Sequence, residues 1–217
     1  SGFVVKTTNI EDGDTFEVVF DDLKTFDPKM VFKKGKLVAQ NGQMTIDMTE
    51  FKPPELRGSV NIKPLKKKDF QIKIPKNKNK IKVINVIPKQ LITKLSIEEV
   101  KNENGYAVSD TTNDILKIAV IERHKATGNI GLGFVKGFGL KSGAIASTIA
   151  HDSHNMIIIG TNDEDMYYAA NQLVKSQGGK IIVENGKTLS QLELPIAGLI
   201  SNKPAEEVMA KLQELEQ

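Results

Sequence analysis

The segment His151-Asp152-Ser153-His154-Asn155 concentrates two imidazoles, a carboxylate, a hydroxyl and an amide in five residues. It separates two aliphatic runs, Ile145 to Ile149 and Met156 to Ile159. A polar junction between apolar strands is where a rigid scaffold presents functional side chains. Three readings are open to it: proton transfer by imidazole or carboxylate, metal ligation, or a hydrogen-bonded turn that only fixes a crossover. The spacing argues against metal, because His-x-x-His is not a helical i, i+4 pair and on a strand the two rings point to opposite faces. His151, Asp152 and His154 are the candidate catalytic residues, and no metal ligand is assigned. Ser153 and Asn155 are candidates for shaping a substrate pocket or ordering a loop. Glu122-Arg123-His124 closes another aliphatic run, Ile115 to Ile121. If that strand stays regular, Glu122 and His124 share a face. A carboxylate beside an imidazole suits proton transfer, and a surface ion pair equally. Both residues join the pocket or loop-ordering candidates, so all three histidines fall at strand ends.

Other motifs carry less. The glycine-rich stretch from Gly128 to Gly139 invites a phosphate-loop reading. A dinucleotide fingerprint needs glycine where Lys136 stands, and a P-loop needs Gly-Lys-Ser/Thr, whereas Leu140 separates Gly139 from Lys141. A bent strand and turn explains these glycines better. Asn162-Asp163-Glu164-Asp165 opens a helix, where carboxylates are stabilising. The lysine run from Lys63 to Lys82 reads as a solvated linker and strand edge rather than a polyanion patch, since Phe70 is its one interleaved aromatic.

These residues need elements to position them. The chain has 217 residues, 30 basic and 27 acidic side chains, and no cysteine. That length suits one large or two small domains. Disulfides, zinc–thiolate sites, iron–sulfur clusters and a cysteine nucleophile are excluded. A net charge of +3 does not mark a nucleic-acid binder. No apolar run approaches the ~20 residues that span a bilayer, and no signal-peptide pattern opens the chain. The start at Ser1-Gly2 suggests a piece trimmed from a longer polypeptide. Phe3 to Lys6, Phe16 to Phe20, Met30 to Phe32 and Lys36 to Ala39 read as strands, with turns at Glu11–Asp14, Lys33–Gly35 and Asn41-Gly42. Pro53-Pro54, Pro64 and Pro75 mark a boundary. Val83 to Ile87, Leu91 to Val100, Ile115 to Ile121, Ile145 to Ile149, Met156 to Ile159 and Lys180 to Val183 read as further strands. Asn102–Gly105 is expected to turn Leu91–Val100 back into Tyr106–Val108. Met166, Ala169, Ala170, Leu173 and Val174 have helical spacing, with Thr161 and Glu164 as a capping box. A second amphipathic helix starts near Pro204. The expected fold is α+β, or mixed α/β: a strand-rich domain with two clear amphipathic helices, preceded by part of a small β domain. The boundaries are 1–52 for the β remnant, 53–82 for a connector and first strand, and 83–217 for the α/β domain.

Asp114 to His124, Thr127 to Lys141, Gly143 to Asn155, Gly160 to Met166 and Leu194 to Leu199 closely resemble the C-terminal part of bacterial adenine deaminase, of the amidohydrolase superfamily. The likeness runs from about Val60 to Val208. Val18 to Leu23 and Val31 to Val38 look like strands that close the small β domain after an amidohydrolase barrel. The resemblance implies a cytoplasmic hydrolase that turns adenine and water into hypoxanthine and ammonia in purine salvage. It implies a divalent metal, manganese or iron, in a TIM barrel. That barrel is absent here, so the expectation is a fragment inactive alone, with no metal of its own. Its partners would be the missing barrel of the same polypeptide and, through it, adenine, with a homodimer as an option and neither nucleic acid nor membrane. The His151–Asn155 segment would then face the barrel mouth. The alternative is a non-catalytic packing or oligomerisation module, or a small-molecule-binding domain.

Overall fold

The computed structural model describes residues 3–8, 15–22, 24–47, 58–75 and 79–216. The chain packs as two units, Ser1–Pro54 and Glu55–Gln217. The first is an antiparallel meander of β1 (Phe3–Thr8), β2 (Thr15–Phe20), β3 (Pro28–Lys33), β4 (Lys36–Gln40) and β5 (Gln43–Met44), in that order. Two-residue turns at Lys34-Gly35 and Asn41-Gly42 set its register. All four residues have positive φ, as the primed hairpin turns require. The turn expected at Glu11–Asp14 lies outside the described residues.

The second unit comprises β6 (Ile72–Lys73), β7 (Lys80–Val86), β8 (Thr93–Glu99), β9 (Lys101–Glu103), β10 (Tyr106–Val108), β11 (Ile115–Ile121), β12 (Ile130–Lys136), β13 (Ala144–Ser147), β14 (Met156–Gly160), α1 (Asp163–Lys175), β15 (Gly179–Glu184), β16 (Lys187–Glu193) and α2 (Ala205–Leu215). Eight strands form one sheet, in the order β16-β15-β13-β14-β11-β12-β7-β8, and β6-β10-β9 form a small one. The fold is α+β. Every neighbouring pair of the large sheet is antiparallel except β12 with β7. β14 and β15 therefore run parallel, with β13 between them and α1 as their crossover.

The Asn102–Gly105 expectation needs correction. Asn104-Gly105 does make the turn, but it joins β9 to β10. The preceding run ends in β8, which pairs with β7 in the large sheet. The lysine-rich stretch also differs from a solvated linker. Residues 58–75 bury Val60 and Phe70 in the core beneath α1, a 3₁₀ turn spans Lys67–Phe70, and Lys67 pairs with Glu164 of α1.

One face of the large sheet carries Ala119, Ile121, Ala146, Met156, Ile158, Ile181 and Val183 against Met166, Ala169, Ala170 and Leu173 of α1. Each large aliphatic buried there contributes about 1.5–3 kcal/mol. Gly160 allows the helix to sit close, because a Cβ there would lie 2.3 Å from Met166 Cγ. α1 is capped by Asn162, whose Oδ1 accepts from the Asp165 N–H at 2.8 Å, so the capping residue is one position later than the expected Thr161. Lys117, only 2 % exposed, pairs from the sheet with Asp163 in the first turn. The other face buries Leu116, Val135 and Ile159. α2 packs by β16, and none of its residues is buried. A groove of about 330 Å³ runs between Leu212 and Leu215 of α2 and Ile145, Ile157 and Ile182 of the sheet.

The glycine-rich stretch is mostly β12. Beyond it, the Asp114 carboxylate accepts from the N–H groups of Gly137 and Gly139, both at 2.8 Å. The amides a phosphate loop would offer are already committed to an internal anion. Among the described residues, no helix is long and apolar enough to cross a membrane.

Candidate functional site

At one end of the large sheet, β11 and β13 finish and β14 begins. There Arg123 is 1 % exposed, and among the described residues its guanidinium bonds only to backbone carbonyls. Nε donates to His154, Nη1 to Ser59 at 3.2 Å, and Nη2 to Ala197 at 3.1 Å. A planar fork with five donors can serve three chain segments at once. Burial pushes its pKa down. The Arg123 main chain also takes part, its carbonyl accepting from the Asn61 N–H at 2.7 Å.

Around this hub, Thr148 Oγ1 donates to Gly198 at 2.6 Å and accepts from the Gly179 N–H at 2.8 Å, which ties down the 195–200 turn. Gly198 has φ +69°, and a Cβ there would stand 2.6 Å from Arg123 Nη1. The loop is closed by the His154 N–H on the Ala150 carbonyl at 2.6 Å, with His154 itself at positive φ. The rings of His151 and His154 meet edge to face at 5.2 Å. The opposite-faces argument holds for an extended strand, and this segment is a turn. His124 Nε2 lies 2.9 Å from the Ser153 carbonyl. That oxygen can only accept, so Nε2 carries the hydrogen in this arrangement.

Glu122 goes elsewhere. Its carboxylate accepts from the N–H groups of His124, Lys125 at 2.8 Å and Thr127 at 3.0 Å, and from the Thr127 hydroxyl at 2.9 Å. These bonds, that of Thr127 foremost, hold its pKa down at about 2. A carboxylate so engaged is a poor base near neutrality. The strand ends at Ile121, so Glu122 and His124 do not share a strand face. Glu122 orders the 122–127 loop.

Thus His124, His151, Ser153 and His154 come together, while Glu122 braces the adjoining loop. His151, Asp152 and Ser153 are exposed, and His154 and Asn155 are half-buried. Ser59 Oγ, His154 Nδ1 and Asn155 Oδ1 are buried without a hydrogen-bond partner. Residue spacing drew attention to the loop and missed Arg123, Ser59, Thr148 and Gly198, which hold it. Carbonyl partners leave no trace in a sequence.

Among the described residues, no group of three or more His, Asp or Glu side chains could hold a metal ion. The described residues do not fit the divalent metal that the resemblance implies.

Residues 90–217 match the family described as adenine deaminase C-terminal domain. The chain belongs to that family. It is 46 % identical over 198 residues to an adenine deaminase of Dehalococcoides mccartyi, covering 91 % of this chain and 34 % of that protein. It is 44 % identical over 198 residues to adenine deaminase 2 of Carboxydothermus hydrogenoformans, with the same coverage. An adenine deaminase of Clostridium botulinum is 43 % identical over 213 residues, covering 96 % of this chain and 35 % of its own length. The chain thus spans about a third of these relatives. The Arg123 hub and its loop lie within the family match, apart from Ser59 and Asn61.

Proposed function

We propose that this chain is the C-terminal part of a cytoplasmic adenine deaminase of purine salvage, in which adenine and water give hypoxanthine and ammonia. The observation that carries the reading is the likeness to adenine deaminases at 43–46 % identity over more than nine-tenths of the chain. In this reading the manganese or iron centre belongs to a barrel outside this chain, and the chain alone does not deaminate adenine. The contribution assigned to it is the His151–Asn155 loop, which faces the purine pocket of the intact enzyme. There His151, Asp152 and His154 are the candidates for moving a proton to the leaving amine or for ordering a loop that closes over it. The support is that a polar, partly exposed loop is held rigidly from behind by a buried arginine, as a positioned group needs.

Ammonia release from adenine with manganese, measured for this chain and for the same chain extended upstream through a barrel, tests the reading. Activity in the extended form alone supports it. Activity in the short chain overturns the placement of the chemistry. Inactivity of a folded, metallated extended form overturns the substrate. In the extended form, His151→Ala and His154→Ala are expected to lower kcat or raise KM with little change in melting temperature. Unchanged turnover and affinity would leave the loop a structural role only.

A further inference from the structure

β8 is an outer strand of the large sheet, laddered to β7 from Thr93 opposite Val86 to Glu99 opposite Lys80. The Val100 N–H donates to the Asn79 carbonyl at 2.7 Å. Backbone groups alternate in direction along an antiparallel strand. Lys94, Ser96 and Glu98 therefore turn theirs toward β7, while Thr93, Leu95, Ile97 and Glu99 turn theirs outward. Outer strands are normally blunted by charge, proline or a bulge. β8 has no bulge in its register. It leaves Leu95 65 % and Ile97 67 % exposed, side by side on one face.

The strand is chemically a palindrome about Ser96. In Lys94-Leu95-Ser96-Ile97-Glu98, cation mirrors anion and aliphatic mirrors aliphatic. We propose that a second copy of this chain adds to β8 in antiparallel register, with a two-fold axis through Ser96, to make one sheet continuous across the pair. Every layer then agrees. Leu95 meets Ile97 of the second copy with both backbones facing outward, so the pair exchanges two hydrogen bonds. The four aliphatic side chains close over one another on one face. On the other face Lys94 stands opposite Glu98, twice by symmetry. A slip of one residue moves each set to the opposite face, and only the register centred on Ser96 opposes Lys94 to Glu98. Such an interface is isologous and closed. The proposal does not depend on the deaminase reading.

The chain has no cysteine, which makes the axis directly testable. Ser96 and its symmetry mate form a non-hydrogen-bonded pair, with Cα atoms about 4.5 Å apart, a separation a disulfide spans. Ser96→Cys is expected to give a disulfide-linked dimer under mild oxidation. Lys94→Cys is not, because its symmetry mate lies four residues along the ladder, about 14 Å away. In sedimentation, the chain is expected to dimerise and the Leu95→Lys/Ile97→Lys variant, with the same circular dichroism, to stay monomeric. Lys94→Glu is expected to weaken the dimer about tenfold by opposing like charges twice. A chain that stays monomeric across a concentration series overturns the proposal and gives the strand to another occupant, such as the preceding part of a longer polypeptide. A dimer in which Ser96→Cys does not cross-link, or cross-links no better than Lys94→Cys, uses another surface and overturns it too.

Discussion

Replacing Arg123 with methionine keeps an unbranched apolar stem, out to about the position of Nε, and removes the donors. Three carbonyls, of Ser59, His154 and Ala197, then lose their recorded side-chain partner. Hydrogen bonds to a charged group contribute about 1.5–3 kcal/mol each, so the gross loss is roughly 5–9 kcal/mol. Against it stands relief from holding a buried guanidinium with carbonyl acceptors alone, which is worth several kcal/mol. The net expectation is a loss of about 2–4 kcal/mol, which for a unit of this size lowers the melting temperature by roughly 6–12 °C. Calorimetry reads it directly. Arg123→Lys decides whether the fork or the charge matters. A single ammonium cannot reach three carbonyls spread around a plane, so lysine is expected to fall much nearer to methionine than to arginine. Hydrogen exchange at the His154 amide, which closes the loop, is expected to quicken in both variants. A methionine variant melting within about 1 °C of the parent, or a lysine variant equal to it, would refute the account of how the loop is held.

Gly198→Ala forces a Cβ against Arg123 Nη1 from a left-handed backbone; its loss of stability should exceed the ~1 kcal/mol of the backbone cost alone and shrink when combined with Arg123→Met in a double-mutant cycle. Asp163→Asn strands the buried Lys117 ammonium and should cost about 3 kcal/mol in urea unfolding. Lys117→Met should cost clearly less, because Asp163 reaches solvent and sits at a helix N-terminus; the reverse order would contradict this. Glu122 binds its proton more weakly when folded than unfolded, so its contribution to stability is complete above the ordinary glutamate value near 4.5 and fades as the pH falls toward about 2. A carboxyl titration by NMR should place its midpoint near the lower figure, and Glu122→Gln should flatten the acid limb of the stability curve.

The parts legible in the sequence are those set by local chemistry. Lys34-Gly35 and Asn41-Gly42 announced their turns because few residues accept two successive positive φ angles. Ile115 to Ile121 announced β11, since a strand covered on both faces is aliphatic throughout. β12 was legible as a bent strand inside the glycine-rich stretch, but not its bounds, because Gly131 and Gly133 replace the side chains that mark where a strand begins and ends. The β8–β9 division was hidden because pairing partners are long-range, and the run from Leu91 to Val100 reads equally well against either neighbour. In the candidate site, the polar loop stood out by contrast with its flanks. What fixes it did not, for Arg123 between Glu122 and His124 reads as one more surface charge.

Arg123 joins residues 64, 31 and 74 positions away along the chain. Each of those loops must close before its bonds can form, and long closures come late. The hub is therefore expected to form after the folding transition state, and φ-value analysis at Arg123 should give values near zero. Loosening it should leave the refolding rate almost untouched and quicken unfolding by nearly the whole equilibrium loss. The same arginine that orients a loop thus sets the lifetime of the native state, and any change made there to tune the loop also changes how long the folded unit persists.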